Sequence, residues 1–292
     1  MDARFIGITA ALGSAVSWAL GSILFKQLGE RISSPAMTWA KGVISLLLLA
    51  IALAIVGFEK MEWWPLWLLV WSGLLGIALG DTFFFEALQG LGPHAVVLLL
   101  MLSQVLTVVL AVVFLGETLT PTTWTGIVLV VGGVGIVLYA KLSGEQGLWR
   151  WRGIMFGLLS VLCMSVSIII AKPALASISA LQATFIRMGS GTAGMLLLGA
   201  GAGQLRGWIQ PFEDKVLARR FVIAVCVITF GGFWLSLVAI KYVDVAVANT
   251  LISTEPLFIL PLAAIILKER ITLPALIGTA STIPGIFLLC IS

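Results

Sequence analysis

The sequence predicts an all-α polytopic membrane protein, with ten transmembrane helices arranged as two five-helix inverted repeats. Three observations predict it. Of the 292 residues, 60% are hydrophobic and only 10% charged, with a mean hydropathy of +1.15, which is more apolar side chain than a water-soluble core of that size buries. The apolar residues gather in runs of roughly 20, the length that crosses about 30 Å of hydrocarbon as a helix. The second half also repeats the first, with FLGETLT at 114–120 answered by ILKERIT at 266–272, 152 positions on. Such a period marks duplication.

The expected spans of the first half are 5–25, 35–57, 65–88, 95–115 and 124–139, and those of the second are 153–171, 180–202, 221–240, 245–267 and 274–291. The first is too long for a signal-peptide core, and no polar domain follows it. The loop 203–220 outgrows its counterpart 57–64 by six residues, so the repeat offset is 146 before it and 152 after it. At 146, Ser14 matches Ser160, Lys26 matches Lys172 and Lys41 matches Arg187; at 152, Gly80 matches Gly232, Glu117 matches Glu269 and Gly133 matches Gly285. The fifth span opens at Thr120 and Pro121, an N-cap and a first-turn proline, and Thr272 with Pro274 repeats that start in the tenth. The doubled signature therefore reads as turn and cap chemistry. In the ninth span stand Pro256 and Pro261, and a proline removes a backbone hydrogen bond and can bend the helix. The glycines of the fifth and tenth spans serve close helix packing, within the chain or across a candidate homodimer. The unit boundaries are 1–141 for the first repeat, 142–151 for the connection and 152–292 for the second repeat.

Five spans are an odd number, so the second half is threaded upside down relative to the first. Two such bundles, related by an axis in the membrane plane, enclose a cavity with an opening toward each side, the geometry of alternating access.

Two five-span halves, each with a fourth helix running into FLGETLT or ILKERIT and a glycine-rich fifth helix, GIVLVVGGVGIVLY or GTASTIPGIFLL, resemble the EamA family of the drug/metabolite transporter superfamily. The resemblance covers essentially the whole chain. It implies a ten-helix secondary carrier in the bacterial inner membrane, often an exporter of amino acids or related metabolites, with the site enclosed by helices other than the fifth and tenth.

Charges deep in the spans point to the site, because an ionised side chain near the bilayer centre costs several kcal/mol and normally faces a partner or a wet cavity. Five qualify: Lys41, Asp81, Glu86, Arg187 and Glu255. Lys41 and Asp81 lie at similar depth from one face and can form an ion pair within the first half; the alternative has Lys41 reaching the headgroups. Arg187 and Glu255 lie within a turn of each other in depth from the other face, either as a packed pair or as a substrate and ion site. Glu255, and after it Asp81, are the candidate coupling-ion groups, taking up a proton in one conformation and releasing it in the other. The uncharged candidates for substrate binding are Trp18, Ser22, Ser103, Gln104, Ser165, Trp234, Asn249 and Ser253, beside the charged Lys41, Asp81 and Arg187. Trp63, Trp64, Trp67, Trp149, Trp151 and Trp208 sit near span ends, as an interfacial aromatic belt does.

Setting aside Lys41 and Arg187, eleven basic residues (Lys26, Arg31, Lys141, Arg150, Arg152, Arg206, Lys215, Arg219, Arg220, Lys268 and Arg270) lie on the face opposite the termini, whereas Arg4, Lys60, Lys172 and Lys241 share the terminal face. The positive-inside rule then places the termini outside the cytoplasm, while the resemblance favours termini inside. Cys163, Cys226 and Cys290 all lie in apolar spans, with neither a disulfide framework nor metal-ligand spacing. No HExxH, nucleophile elbow or phosphate loop is visible, which argues against an enzyme. The expected partners are the lipid bilayer, a small-molecule substrate and protons, with no nucleic acid, no cofactor and no metal. An anion or nucleotide-sugar exchanger is the second reading, and a membrane scaffold or intramembrane enzyme a distant third.

Overall fold

A computed structural model describes residues 3–58, 60–103, 105–106, 109–110, 120–142, 147–175, 177–242, 251–268 and 271–291, and nearly all of these are helical. The first half contains α1 (Ala3–Leu28), α2 (Ser34–Val56), α3 (Trp63–Leu91), α4 (beginning at Pro93–Leu100) and α5 (Pro121–Leu142). The second contains α6 (Gly147–Leu175), α7 (Ala180–Gly201), α8 (215–242), α9 (Glu255–Ile266) and α10 (Leu273–Ile291). Helix α6 starts inside the segment 142–151 assigned to the connection between the halves, because GLWRW carries no helix breaker after Gly147.

Local chemistry sets the boundaries. Ser33 in extended conformation precedes α2, with Pro35 in its first turn, and Gly57 at φ 94° ends it. Gly92, at φ 83°, turns the chain directly from α3 into Pro93 of α4. Asp214 accepts the backbone N–H groups of Val216 and Leu217 to cap α8. The doubled turn behaves as cap chemistry where it is described: Thr272 Oγ1 accepts Ala275 N–H at 3.4 Å, and α5 begins immediately after Thr120. Glu117 and Glu269 lie outside the described residues.

Five helical stretches, Phe5–Leu28, Ser34–Val56, Trp63–Leu91, Trp151–Ala171 and Lys215–Trp234, are long and apolar enough to cross a membrane, and Trp124–Tyr139, Glu255–Ile266 and Leu273–Leu288 are shorter apolar helices. With α4 and α7 they complete the ten-helix, two-repeat arrangement. Packing crosses between the halves: α1 lies along α8 and α9, α6 along α3 and α4, α2 on α7, and α5 on α10. Each contact has its repeat-related twin. The α5–α10 approach is a glycine contact, since a Cβ on Gly133 would stand 2.7 Å from the Gly278 carbonyl and one on Gly278 2.7 Å from that of Gly133. Those glycines thus serve packing within the chain.

Trp63, Trp64, Trp67 and Trp151 are exposed, as interfacial residues should be, whereas Trp208 is buried and does not belong to the belt. The short helix Leu205–Ile209 folds it back against Gly199, where a Cβ would meet its ring at 2.5 Å.

Candidate functional site

A cavity of about 340 Å³ lies among α1, α2, α3, α4, α6, α7, α8 and the start of α9. Its charged lining is Lys41, Asp81, Arg187 and Glu255, and its walls include Trp18, Ser22, Phe25, Phe84, Phe85, Thr184, Met188 and Phe233. Helix α5 and helix α10 do not line it, so both halves contribute four helices to one site.

The Lys41 Nζ donates to Asp81 Oδ2, and both residues are buried. The cation also lies 5.7 Å from the centroid of the Phe85 ring, which lets a desolvated ammonium face a π-electron cloud. The Thr82 hydroxyl, next to Asp81, lies 2.6 Å from the Ala78 carbonyl and 3.0 Å from the Thr38 hydroxyl, and the second contact ties α3 to α2 beside the pair. The expected ion pair of the first half is therefore made.

The expected contact of the second half is not made. Arg187 Nη2 donates instead to Ser167 Oγ at 3.0 Å, its Nε is buried without a hydrogen-bond partner, and no ion pair joins it to Glu255. Neighbouring helices explain the difference. Ser72 and Ser167 each donate to the other's carbonyl at 2.7 Å, binding α3 to α6 and drawing the guanidinium toward that joint. Glu255 instead rides on α9, which packs on α1 and α4. A turn at Ser253 and Thr254 interrupts the ninth helix immediately before Glu255, so this half-buried carboxylate opens a half-helix at the cavity wall. Discontinuous helices of this kind place ion and substrate groups in many secondary transporters.

The broken symmetry is thereby explicit. Lys41 has Asp81, but the repeat mate of Asp81 is Phe233, so Arg187 finds no carboxylate at the equivalent place. Ser103, the mate of Glu255, hydrogen-bonds Ser165 at 2.9 Å between α4 and α6. Among the described residues, the cavity consequently carries one closed ion pair and two opposite ionisable groups that form none.

Of the residues expected at the site, Trp18, Ser22, Lys41, Asp81, Arg187 and Glu255 come together. Ser103 and Ser165 bond one another instead, and Ser253 forms the turn before Glu255. Trp234 does not line the cavity: it is 58% exposed and, with Phe230 and Leu48, lines an adjoining lateral groove of about 160 Å³ that shares Thr184 and Phe233 with the cavity. Phe233, its neighbour in the π-helical turn Val227–Trp234, lines both spaces and meets Trp18 edge to face at 4.8 Å. Gln104 and Asn249 lie outside the described residues. Glu86 sits toward the end of α3, 3.7 Å from Arg152 at the start of α6. Sequence reasoning missed the aromatic wall of Phe25, Phe84, Phe85 and Phe233, because phenylalanine in a membrane span carries no signal separating a cavity wall from a lipid-facing side chain.

Two inverted five-helix bundles around one charged cavity define a polytopic membrane protein of the inverted-repeat class, an architecture that many secondary transporters share. The chain belongs to the EamA-like transporter family, whose model matches residues 5–139 and 151–291. It is similar to YvbV, an uncharacterized transporter of Bacillus subtilis strain 168, at 32% identity over 135 residues; that match covers 45% of this chain and 44% of YvbV, less than half of the relative's length. It is also 26% identical over 230 residues to the protein LicB of Haemophilus influenzae, covering 75% of this chain and 74% of LicB. A solved crystal structure shares the fold with a TM-score of 0.61 at 17% identity, covering 98% of this chain and 97% of its own.

Proposed function

We propose that the protein is a secondary active carrier that exports small metabolites, amino acids or related compounds, across the bacterial inner membrane by alternating access, with protons as the coupling ion. The observation that carries this reading is the cavity between inverted halves in which Arg187 and Glu255 face the same space without an ion pair, while Lys41 and Asp81 neutralise each other. A cation and an anion on opposite walls suit a small zwitterion, and a volume of about 340 Å³ lies at the small-ligand end of binding cavities. Coupling follows from Glu255: a carboxylate's hold on its proton depends on burial and on a nearby cation, and both change when α7 and α9 move relative to one another. Glu255 then binds a proton from one side and gives it up on the other in exchange for substrate.

The anion-exchanger reading fits less well, since Asp81 occupies Lys41 and leaves Arg187 as the remaining cation of the lining for a phosphate. Vesicles containing the purified protein, tested with labelled amino acids, sugars and phosphorylated metabolites, separate the readings. Amino-acid movement that depends on a pH gradient supports the proposal. Exchange of phosphate esters without proton movement, or chemical conversion of any compound, would refute it.

A further inference from the structure

Arg187 is held in a seat that its repeat mate lacks. Ser72 of α3 and Ser167 of α6, both fully buried, each give the hydroxyl proton to the other's backbone carbonyl at 2.7 Å, and the two hydroxyl oxygens stand 2.9 Å apart. A serine hydroxyl has one proton to give. With that of Ser167 committed to the Ser72 carbonyl, its oxygen can only accept, and Arg187 Nη2 donates to it at 3.0 Å. Gly76, on the cavity wall, makes the room: a Cβ there would stand 2.3 Å from Ser167 Oγ and 3.4 Å from Arg187 Nη2.

The other half fills the same place with hydrocarbon. The repeat mates of Ser72, Gly76 and Ser167 are Ala224, Ile228 and Gly21. A Cβ on Gly21 would stand 2.4 Å from the Ile228 side chain, the counterpart of the contact between Gly76 and Ser167. Those three side chains carry no hydroxyl, and Lys41 pairs with Asp81 instead. One cation of the repeat is neutralised, and the other is only cradled.

A hydroxyl oxygen fixes a guanidinium through one N–H and cancels none of its charge. Arg187 Nε stays buried without a hydrogen-bond partner, a costly arrangement for a donor unless a ligand brings the acceptor. A carboxylate meets both needs, because it is an anion and its two oxygens match adjacent N–H groups of a guanidinium. We infer that Ser72 and Ser167 are positioning residues that present Arg187 to a carboxylate of the substrate, so that the cavity selects compounds bearing a carboxylate over their uncharged counterparts. The inference rests on the reading of the cavity as a site for amino acids or related compounds, and it names the group that the seat recognises.

Selectivity tests the seat. Purified protein in detergent is titrated, by tryptophan-fluorescence melting, with each of the common amino acids and with its α-amide, which keeps the side chain and the amine and replaces the carboxylate. At least one amino acid should stabilise the parent and bind about tenfold more tightly than its α-amide, the ratio expected of a charge-assisted hydrogen bond. Arg187→Gln should bring that ratio close to one. Ser167→Ala should lower it by about fivefold through weaker binding of the acid, with binding of the amide unchanged, and should have no further effect in the Arg187→Gln chain. Ser72→Ala should act in the same direction and less, since its backbone carbonyl still takes the Ser167 proton. Ser167→Cys, similar in size and a weaker acceptor, gives the same measurement where the alanine variant does not fold. Amides that bind as well as their acids, or no binding by any amino acid, would overturn the carboxylate. Equal weakening of acid and amide, effects that add to that of Arg187→Gln, or failure of both Ser167 variants to fold would make the serines a staple between α3 and α6 and overturn their assignment. Discrimination that depends on Ser167 in a chain that moves no labelled amino acid would keep the seat and remove the export reading. Proton-coupled export with discrimination untouched in Ser167→Ala would do the reverse, so the two ideas fail separately.

Discussion

Removing the Lys41 ammonium should strand the Asp81 carboxylate, and removing both should rescue the loss. The two side chains are 11% and 10% exposed, so neither charge has much bulk water to fall back on. Breaking a buried pair from one side costs about 3–5 kcal/mol, whereas replacing both members with apolar groups of similar volume is neutral or stabilising. The cavity admits some water to the pair, which favours the lower end of that range. With about 2.1 cal/mol/K of unfolding entropy per residue, roughly 0.6 kcal/mol/K for the whole chain, a loss of about 3 kcal/mol lowers the melting temperature by about 5 °C. Membrane helices keep much of their structure on denaturation in detergent, so their unfolding entropy is smaller and the drop larger. The assay is tryptophan-fluorescence melting of purified Lys41→Met, Asp81→Leu and the double variant. Each single change should lower the midpoint by at least about 5 °C, and the double variant should melt within about 2 °C of the parent. Single variants that melt with the parent, or a double variant that loses the sum of the single losses, would refute a buried and self-neutralising pair.

Three further outcomes are expected from the geometry. Gly278→Val should destabilise the α5–α10 contact by about 1–3 kcal/mol through overpacking, because even a Cβ would stand 2.4 Å from Val137 and 2.7 Å from the Gly133 carbonyl; a melting curve unchanged from the parent would contradict the contact. The Asp214 carboxyl is held below its ordinary value of 3.8, first by the Leu217 and Val216 backbone N–H groups and then by Arg31. A lowered folded-state pKa means stability present above the ordinary value and lost as pH falls through the depressed one, so the melting difference between the parent and Asp214→Ala should be constant above about pH 5 and shrink below about pH 4; a difference that grows on acidification would reverse the sign. Trp208→Ala should cost about 3–5 kcal/mol by melting, the loss expected for a buried aromatic and far beyond that of exposed Trp64→Ala; equal effects would return Trp208 to the interfacial belt.

Fold and site differ in how much of them the sequence made legible. Span lengths and the doubled FLGETLT and ILKERIT turn reveal the ten-helix inverted architecture because duplication leaves a ruler along the chain, and the ruler identifies Lys41 and Arg187 as equivalent before any contact is seen. The Lys41–Asp81 pair was legible as well, since two opposite charges at one depth in neighbouring spans have few other ways to be stable. The fate of Arg187 was not. Its partner, Ser167, is one of several serines on α6, and only the reciprocal bonds with Ser72 single it out. Trp234 lies in a π turn, Val227–Trp234, which departs from the 3.6-residue period by which a sequence assigns helix faces, and it lines the lateral groove while its neighbour Phe233 reaches both groove and cavity. The equivalent π turn in α3, Leu74–Gly80, is equally invisible in composition, although the glycines that accompany both, at matched positions 80 and 232, mark the place.

In the proposed mechanism a proton carried by Glu255 drives substrate through the cavity between the halves. The most direct measurement is substrate-dependent proton movement in reconstituted vesicles, detected with a pH-sensitive dye for the parent chain and for Glu255→Gln, with a melting curve to establish that the variant is folded. Substrate added to parent vesicles should move protons in the opposite direction, and the folded Glu255→Gln chain should exchange labelled substrate for unlabelled without moving protons. Full proton coupling in Glu255→Gln would contradict that role.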